Sequence, residues 1–316
     1  MASSAPRLAA FSIDLDEITE YYAIHGLGSP PEAAAHLVYR VALPRLLEFA
    51  GQLRLPLTLF VIARDLSWAP AAAALKPFVA RGDELGNHTL DHAYDVSRWP
   101  STQRRAQVER GAQAIHTACG VNPRGFRAPG YTLSDGLVAD LTDLDYVYDS
   151  SVFACPAYYA AKAGVLAGQR LLRRRSKSIL DQPSVLRAPT QPYRLGVPYF
   201  RRGNGLREIP IGLTRRLRLP FFGTSLGLLA RGTFGEDKAR WFTRGVQGLP
   251  VVNLELHGID FLDTADGLEA LHPLQPGLDI PWRQKQAAYA VAVEQLRKGG
   301  HRWMTLQELS VECLLP

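Results

Sequence analysis

The chain has 316 residues, 47% of them hydrophobic and 21% charged, enough for a sizeable core in one large α/β domain or two small ones and too apolar for a disordered chain. Its 36 basic and 30 acidic side chains leave a net charge of +6, which by itself points to no particular partner. No apolar run approaches the roughly 18 to 20 residues that cross a bilayer, and the start, MASSAPRLAAFSIDLDE, lacks the basic leader and long apolar core of a cleavable signal, so the expected location is cytoplasmic.

Along the chain, short apolar runs alternate with helical patterns. AAFSID reads as a first strand, LPRLLEFAGQLRLP as a helix, LTLFVIA as a second strand, and PAAAALKPFVARG as a helix closed by Gly82. ELGNH is a brief third strand. The next helix runs from about Ser101 to Cys119, with Val108, Ala112, Ile115 and Cys119 on one stripe and Gly120 as its stop. GFR, YVYD and VVNLEL are further strands, IPWRQKQAAYAVAVEQLRKGG is a last long helix, and HRWMTLQEL adds a strand and a turn of helix. Such alternation is the pattern of βα units and a parallel sheet. Cys119, Cys155 and Cys313 are scattered and form no CxxC, which argues against a disulfide framework or a thiolate zinc site.

Between YVYD and VVNLEL lies a different kind of sequence. Residues 154–247 hold 18 of the 36 Lys and Arg but 4 of the 30 acids, a local charge of +14 inside a frame of −8. The segment is rich in Pro, Gly, Arg and aromatics, with weak periodicity, although REIPIG could add a strand. It is expected to be an elaborated insertion over one end of a single domain spanning 1–316. Without its 94 residues, 222 remain, the size of a distorted (β/α) barrel of about seven parallel strands.

The polar residues that end the apolar runs then become informative. Asp14 and Asp16 follow FSI, His88 and His92 follow ELGN, Arg127 follows GF, Asp149 follows YVY and His257 follows VVNLEL. All fall at carboxyl ends of expected strands, where parallel barrels build their active sites. Two imidazoles with one of the two aspartates are the ligand set of a catalytic zinc site that keeps one position for water. The spacing of His88 and His92 puts both rings on one side only if the stretch is helical or turns tightly; alone, such a pair is more often two exposed helix residues.

In order, FSIDLDE, HTLDH, FRAPGY, YDSS and LELH resemble the five motifs of the NodB-homology polysaccharide deacetylases, the carbohydrate esterase family 4 proteins. The resemblance spans 11–153 and 248–310. It implies a NodB-like barrel and a metal-dependent hydrolase that removes an N-acetyl, or less often an N-formyl, group from an amino sugar. By the same resemblance Asp14 is the general base, Asp16, His88 and His92 hold a divalent metal (zinc first, with cobalt, nickel or manganese as alternatives), and Arg127 pairs with the base. Asp149 is then the carboxylate that orients His257, the general acid, and the backbone amide of Tyr131 steadies the oxyanion. Two departures stand out. Glu17 occupies a position where many relatives have Gly, as a solvated acid or a substrate contact, and the fourth motif reads DSSVF without its usual Trp, so that Phe153 or an aromatic of the insertion is left to line the pocket. Asp260, three residues beyond His257, reads as a surface-loop acid, with assistance to His257 as the alternative.

Cations interleaved with Leu, Phe and Tyr in the insertion suit a phosphate and an acyl chain. The substrate is therefore expected to be a lipid-linked or nucleotide-linked glycan precursor or another glycolipid, met at the inner face of an anionic membrane and recognised by Arg173, Arg174, Arg175, Arg201 and Arg202. A solvated basic cover on the barrel is the plainer alternative. Nucleic acid is not expected, since no binding signature accompanies the charge. A cyclic-amide hydrolase of the allantoinase kind and a catalytically silent carbohydrate-binding homologue remain the competing readings.

Overall fold

The computed structural model describes residues 6–171 and 176–313. In chain order its elements are β1 (Arg7–Asp14), α1 (Ile18–His25), α2 (Leu43–Leu53), β2 (Leu57–Val61), α3 (Ala69–Arg81), β3 (Glu84–Asn87), α4 (Ser101–Cys119), β4 (Gly125–Phe126), α5 (Asp135–Asp143) and β5 (Tyr148–Asp149). The basic segment then contributes α6 (Pro156–Leu171), β6 (Tyr193–Leu195), β7 (Arg202–Glu208), α7 (Gly223–Leu229) and α8 (Gly235–Thr243). The chain closes with β8 (Val251–His257), α9 (Trp282–Lys298), β9 (His301–Trp303) and α10 (Leu306–Glu312).

The strands form one curled sheet in the order β6-β7-β5-β4-β3-β2-β1-β8, with β9 beside the start of β1. Every pairing is parallel except that of β6 with β7, so the expected barrel is a half-barrel. Side chains alternate across each strand. On β1, Ala9, Phe11 and Ile13 pack outward into the core beneath the helices, while Leu8 and Ala10 face an inner cluster with Phe60, Tyr148, Met304, Leu306 and Leu309. α10 thus closes the amino end of the strands, pinned by Leu306 N–H to Thr58 Oγ1 and by Gln307 N–H to Glu84. Further up the same inner face the residues turn polar: Ser12 donates to Asn253 of β8 at 2.9 Å, and Asp14 lies level with His257. The base of the half-barrel is apolar apart from the Thr58–Glu84–Tyr148 hydrogen bonds, and the polar side chains that face the cavity lie at its carboxyl rim.

The basic segment is woven into this sheet rather than laid over it. β7 extends it by pairing in parallel with β5, and α7 and α8 share a core with α9 through Leu226, Ala239, Phe242, Tyr289 and Val293. Most of its described charges lie outside, Glu208 being buried, while its apolar residues complete the fold; the strand suggested by REIPIG overlaps β7 only at Arg207 and Glu208, because β7 begins at Arg202 and ends at Glu208.

Gly125 shows how tightly the inner face is packed. A methyl group there would overlap the phenol ring of Tyr148, whose hydroxyl donates to buried Glu84 at 2.7 Å. Gly125→Ala is expected to lower unfolding stability by about 1–3 kcal/mol, the usual range for overpacking. Chemical denaturation checks this, and an unchanged midpoint would contradict the packing described.

Candidate active site

The loop after β3 brings the two histidines together without a helix. Thr89 and His92 adopt left-handed backbone (φ 68° and 54°), held by Thr89 N–H donating to Asn87 Oδ1 and by His92 N–H donating to Thr89 Oγ1. The tight turn, and not helical periodicity, therefore sets the Nε2 atoms face to face at 3.1 Å. Asp16 completes the group, its carboxylate oxygens 3.4 Å from each Nε2. The remaining ring nitrogens are occupied: His88 Nδ1 contacts the carbonyl of Arg127 at 2.7 Å, and His92 Nδ1 contacts Glu20 Oε2 at 3.1 Å. Glu20 is itself paired with Arg64.

This set fits a divalent cation. The candidate ligand atoms of Asp16, His88 and His92 lie within 4.8 Å of one another, and Asp16 Oδ1 is buried with no hydrogen-bond partner. Outer partners on both Nδ1 atoms are the arrangement that orients imidazole ligands. Burial tends to raise the Asp16 pKa, but His92 and His88 outweigh it and hold the carboxyl below its usual range. Burial also pulls His92 down to about 3 against the attraction of Asp16, so its ring is neutral, the form that ligates a metal.

Asp14 lies beside this group, with Oδ2 3.8 Å from His88 Nε2 and 4.0 Å from His257 Nε2. Its other oxygen accepts from Arg127 Nη1 at 2.6 Å. Arg127 is fully buried; its Nη2 donates to Ser12 Oγ and Ser150 Oγ and its Nε to the carbonyl of Ser150. Burial alone would lower its pKa, but Asp14 and Glu255 raise it, so the guanidinium remains charged.

The partner of His257 corrects the sequence reading. His257 Nδ1 meets Glu255 Oε1 at 2.9 Å, whereas Asp149 accepts from Ser151 and shares a hydrogen bond with Glu208 on the far side of Arg127. Residues two apart on a strand share a face, so Glu255 rises toward the rim beside His257, while Asp149 on β5 faces β7. Against the desolvation of its ring, Glu255 raises the His257 pKa well above the ordinary histidine value. Burial and the nearby Asp149 charge push the Glu208 pKa far up as well.

Other positions differ from expectation too. The Tyr131 amide donates to the carbonyl of Ala128 at 3.0 Å, so the group Tyr131 turns toward the site is its phenol, 3.4 Å from His257 Nε2. Glu17 is buried and accepts from the N–H groups of Ile18, Val38 and Tyr39, which makes it a structural cap. Asp260 is buried as well, and its Oδ2 accepts from the His257 N–H at 2.9 Å. Arg201 and Arg202 are exposed in the β6–β7 hairpin and do not line the site; Arg202 opens a parallel strand, which puts both at the opposite end of the sheet from the rim. Arg173, Arg174 and Arg175 lie outside the described residues. Glu20, Arg64 and Glu255 were missed. Glu255 was legible, since VVNLELH places Asn253, Glu255 and His257 on one face, but the pairing of Glu20 with His92 spans 72 residues and left no local signal.

A cavity of about 280 Å³ opens over these groups. Asp14, Asp16, His88 and His257 form its floor, and Tyr158 of α6 and Phe222 form part of its wall. Phe153 is fully buried behind them, its ring 4.9 Å from that of Tyr158 and 5.9 Å from that of Phe222.

The half-barrel of parallel strands thus carries an Asp-His-His cluster, a buried Asp–Arg pair and a Glu–His pair at its carboxyl rim. Residues 38–148 match the family model described as polysaccharide deacetylase. A chitooligosaccharide deacetylase from Bradyrhizobium sp. (strain ANU 289) is 32% identical over 133 residues, which cover 40% of this chain and 59% of that relative. In fold the chain is similar to a Mycobacterium smegmatis protein assigned to the polysaccharide deacetylases (TM-score 0.58, 16% identity, covering 99% of this chain and 96% of that one). It is also similar to a family 4 acetyl xylan esterase from Clostridium thermocellum in complex with a cobalt ion (TM-score 0.51, 14% identity, covering 98% and 93%). The family indicated by the five motifs is thus the one whose model residues 38–148 match, and the fold is similar to that of the two solved structures.

Because Glu255 and not Asp149 faces the imidazole, Glu255→Gln is expected to move the His257 titration to lower pH, and Asp149→Asn to leave it nearly in place. Nuclear magnetic resonance of the imidazole signals separates the two. A larger shift in the Asp149 variant would reverse the assignment.

Proposed function

We propose that this protein is a metal-dependent amidohydrolase that removes an N-acetyl group, with N-formyl as the less favoured variant, from an amino sugar. The observation that carries this reading is the position of Asp14. One of its oxygens is held by Arg127, and the other faces both the Asp16-His88-His92 cluster and His257.

In this reading Asp16 and the Nε2 atoms of His88 and His92 hold the cation, which when bound lowers the pKa of a coordinated water and polarises an amide carbonyl. Arg127 donates to one oxygen of Asp14 and fixes its orientation, so its free oxygen can accept the proton of the attacking water. His257, held protonated by Glu255, donates from Nε2 to the departing nitrogen, so that the C–N bond breaks with a neutral amine as product. The Tyr131 phenol steadies that imidazole edge, and the apolar wall of the cavity excludes bulk water, which strengthens each of these charge interactions.

A lipid-linked or nucleotide-linked precursor as substrate, and a cytoplasmic location at the inner membrane surface, extend the same reading. The charge of the basic segment and the apolar wall of the cavity support them, whereas Arg201 and Arg202 do not. Among the described residues no helix is long and apolar enough to cross a membrane.

With metal-loaded protein and N-acetylated chitooligosaccharides, acetate release is expected from the wild type and is expected to fall about 100- to 10,000-fold in Asp14→Asn, the range for loss of a general base. Equal rates in the two proteins would overturn the proposed role of Asp14.

A further inference from the structure

α6 belongs to the basic segment and forms one wall of the cavity. Tyr158, Ala161, Lys162, Val165, Leu166 and Gln169, spaced three and four apart, all line it. This face is apolar except at two positions. Lys162 makes no ion pair among the described residues; its Nζ donates to the carbonyl of Gly130 at 3.3 Å and lies 5.5 Å from the centre of the Tyr158 ring. An ammonium has three donors, so two remain for whatever enters. Two turns along the helix, Gln169 is 9% exposed; its amide donates to the carbonyl of Ile24 at 2.9 Å, and its Oε1 is buried without a partner.

Asp181, the carboxyl whose charge acts on Lys162, is engaged elsewhere, accepting from the Tyr199 hydroxyl at 2.7 Å and from Gln182 N–H. Burial pulls the Lys162 pKa down to about 8, opposed by Asp181, so the group is still charged at neutral pH and poorly compensated. A lysine that served only to brace Gly130 would have no need to line the substrate cavity, and an apolar residue there would avoid the cost of desolvating a charge. Gly130 allows the approach: its left-handed backbone (φ 61°) suits glycine, and a methyl group there would crowd Tyr94 at 2.7 Å and lie 3.5 Å from Lys162 Nζ.

We propose that Lys162 is a specificity residue that binds an anionic group, carboxylate or phosphate, on the amino-sugar substrate, with Gln169 Oε1 accepting from a neighbouring hydroxyl. The inference takes the cavity to be the substrate cleft of the proposed deacetylase, and it narrows the substrate class from amino sugars in general to acidic ones.

The test is calorimetric binding to the metal-loaded protein of three probes: N-acetylglucosamine, its anomeric phosphate, and N-acetylmuramic acid, which carries a carboxylate. At least one anionic probe is expected to bind about ten- to a hundredfold more tightly than the neutral sugar, the range of one charge-assisted hydrogen bond. Which of them does so distinguishes phosphate from carboxylate. Lys162→Met is expected to erase the preference and Lys162→Arg to retain most of it. Equal binding of all three probes by the wild type, or a preference that survives in Lys162→Met because the cation alone holds the anion, overturns the inference. The wild-type comparison decides the point even if a variant fails to fold. Acetate release from the same probes reads the deacetylase assignment separately: Lys162-dependent binding without hydrolysis would sustain the anion site and overturn the proposed reaction.

Discussion

The buried guanidinium of Arg127 is the constraint on which the rim of the half-barrel depends. Moving an ion of that size out of water costs several kcal/mol even after relaxation, and the cost is met only if its donors find well-placed partners. Here the partners are Asp14 and Ser12 on β1 and Ser150 beyond β5, and the guanidinium lies 4.2 Å from the centre of the Phe60 ring on β2. One side chain thereby fixes the spacing of these strands, and its own carbonyl orients His88. Replacing Asp14 by an apolar side chain would leave a buried cation unpaired, so the same interaction that tightens the sheet also positions the proposed base.

The inner face of the sheet extends this logic along the strand direction. From the base upward, β1 and β8 change from Leu8 and Val251 to Ser12 and Asn253, and then to Asp14 and His257. Polar groups occur only where a partner lies on the neighbouring strand or where the cavity opens. The metal-ligand loop follows the same rule with different means. Left-handed backbone at Thr89 and His92 is unfavourable for side chains of that kind, and the Asn87 and Thr89 hydrogen bonds hold it in place. Glu20 and Glu255 then fix the rings of His92 and His257 from opposite sides of the site.

Most of the architecture was legible because it is carried by local signals. Periodicity gave the helix Ser101–Cys119 with both ends correct, and the polar residues that close the apolar runs stand at or just beyond the carboxyl ends of strands. What remained illegible depends on contacts distant in sequence. Asp149, which the resemblance assigned to His257, pairs instead with Glu208 of the basic segment across β5 and β7. Arg201 and Arg202 looked like site residues from charge alone, yet strand direction decides which end of the sheet they occupy. Lys162 was hidden for the opposite reason: a single cation among Ala, Val and Leu is unremarkable until α6 is seen to lie against the site.

The central claim is that Asp16, His88 and His92 hold a divalent cation beside Asp14. Anomalous diffraction from crystals grown with zinc or cobalt tests it most directly. The account predicts one strong peak bounded by the Asp16 carboxylate and the Nε2 atoms of both histidines, at about 2.0–2.2 Å from each, the usual distances for such ligands. A peak held by Asp14, Glu255 and His257 instead, or none at this rim while metal is bound elsewhere, would contradict it.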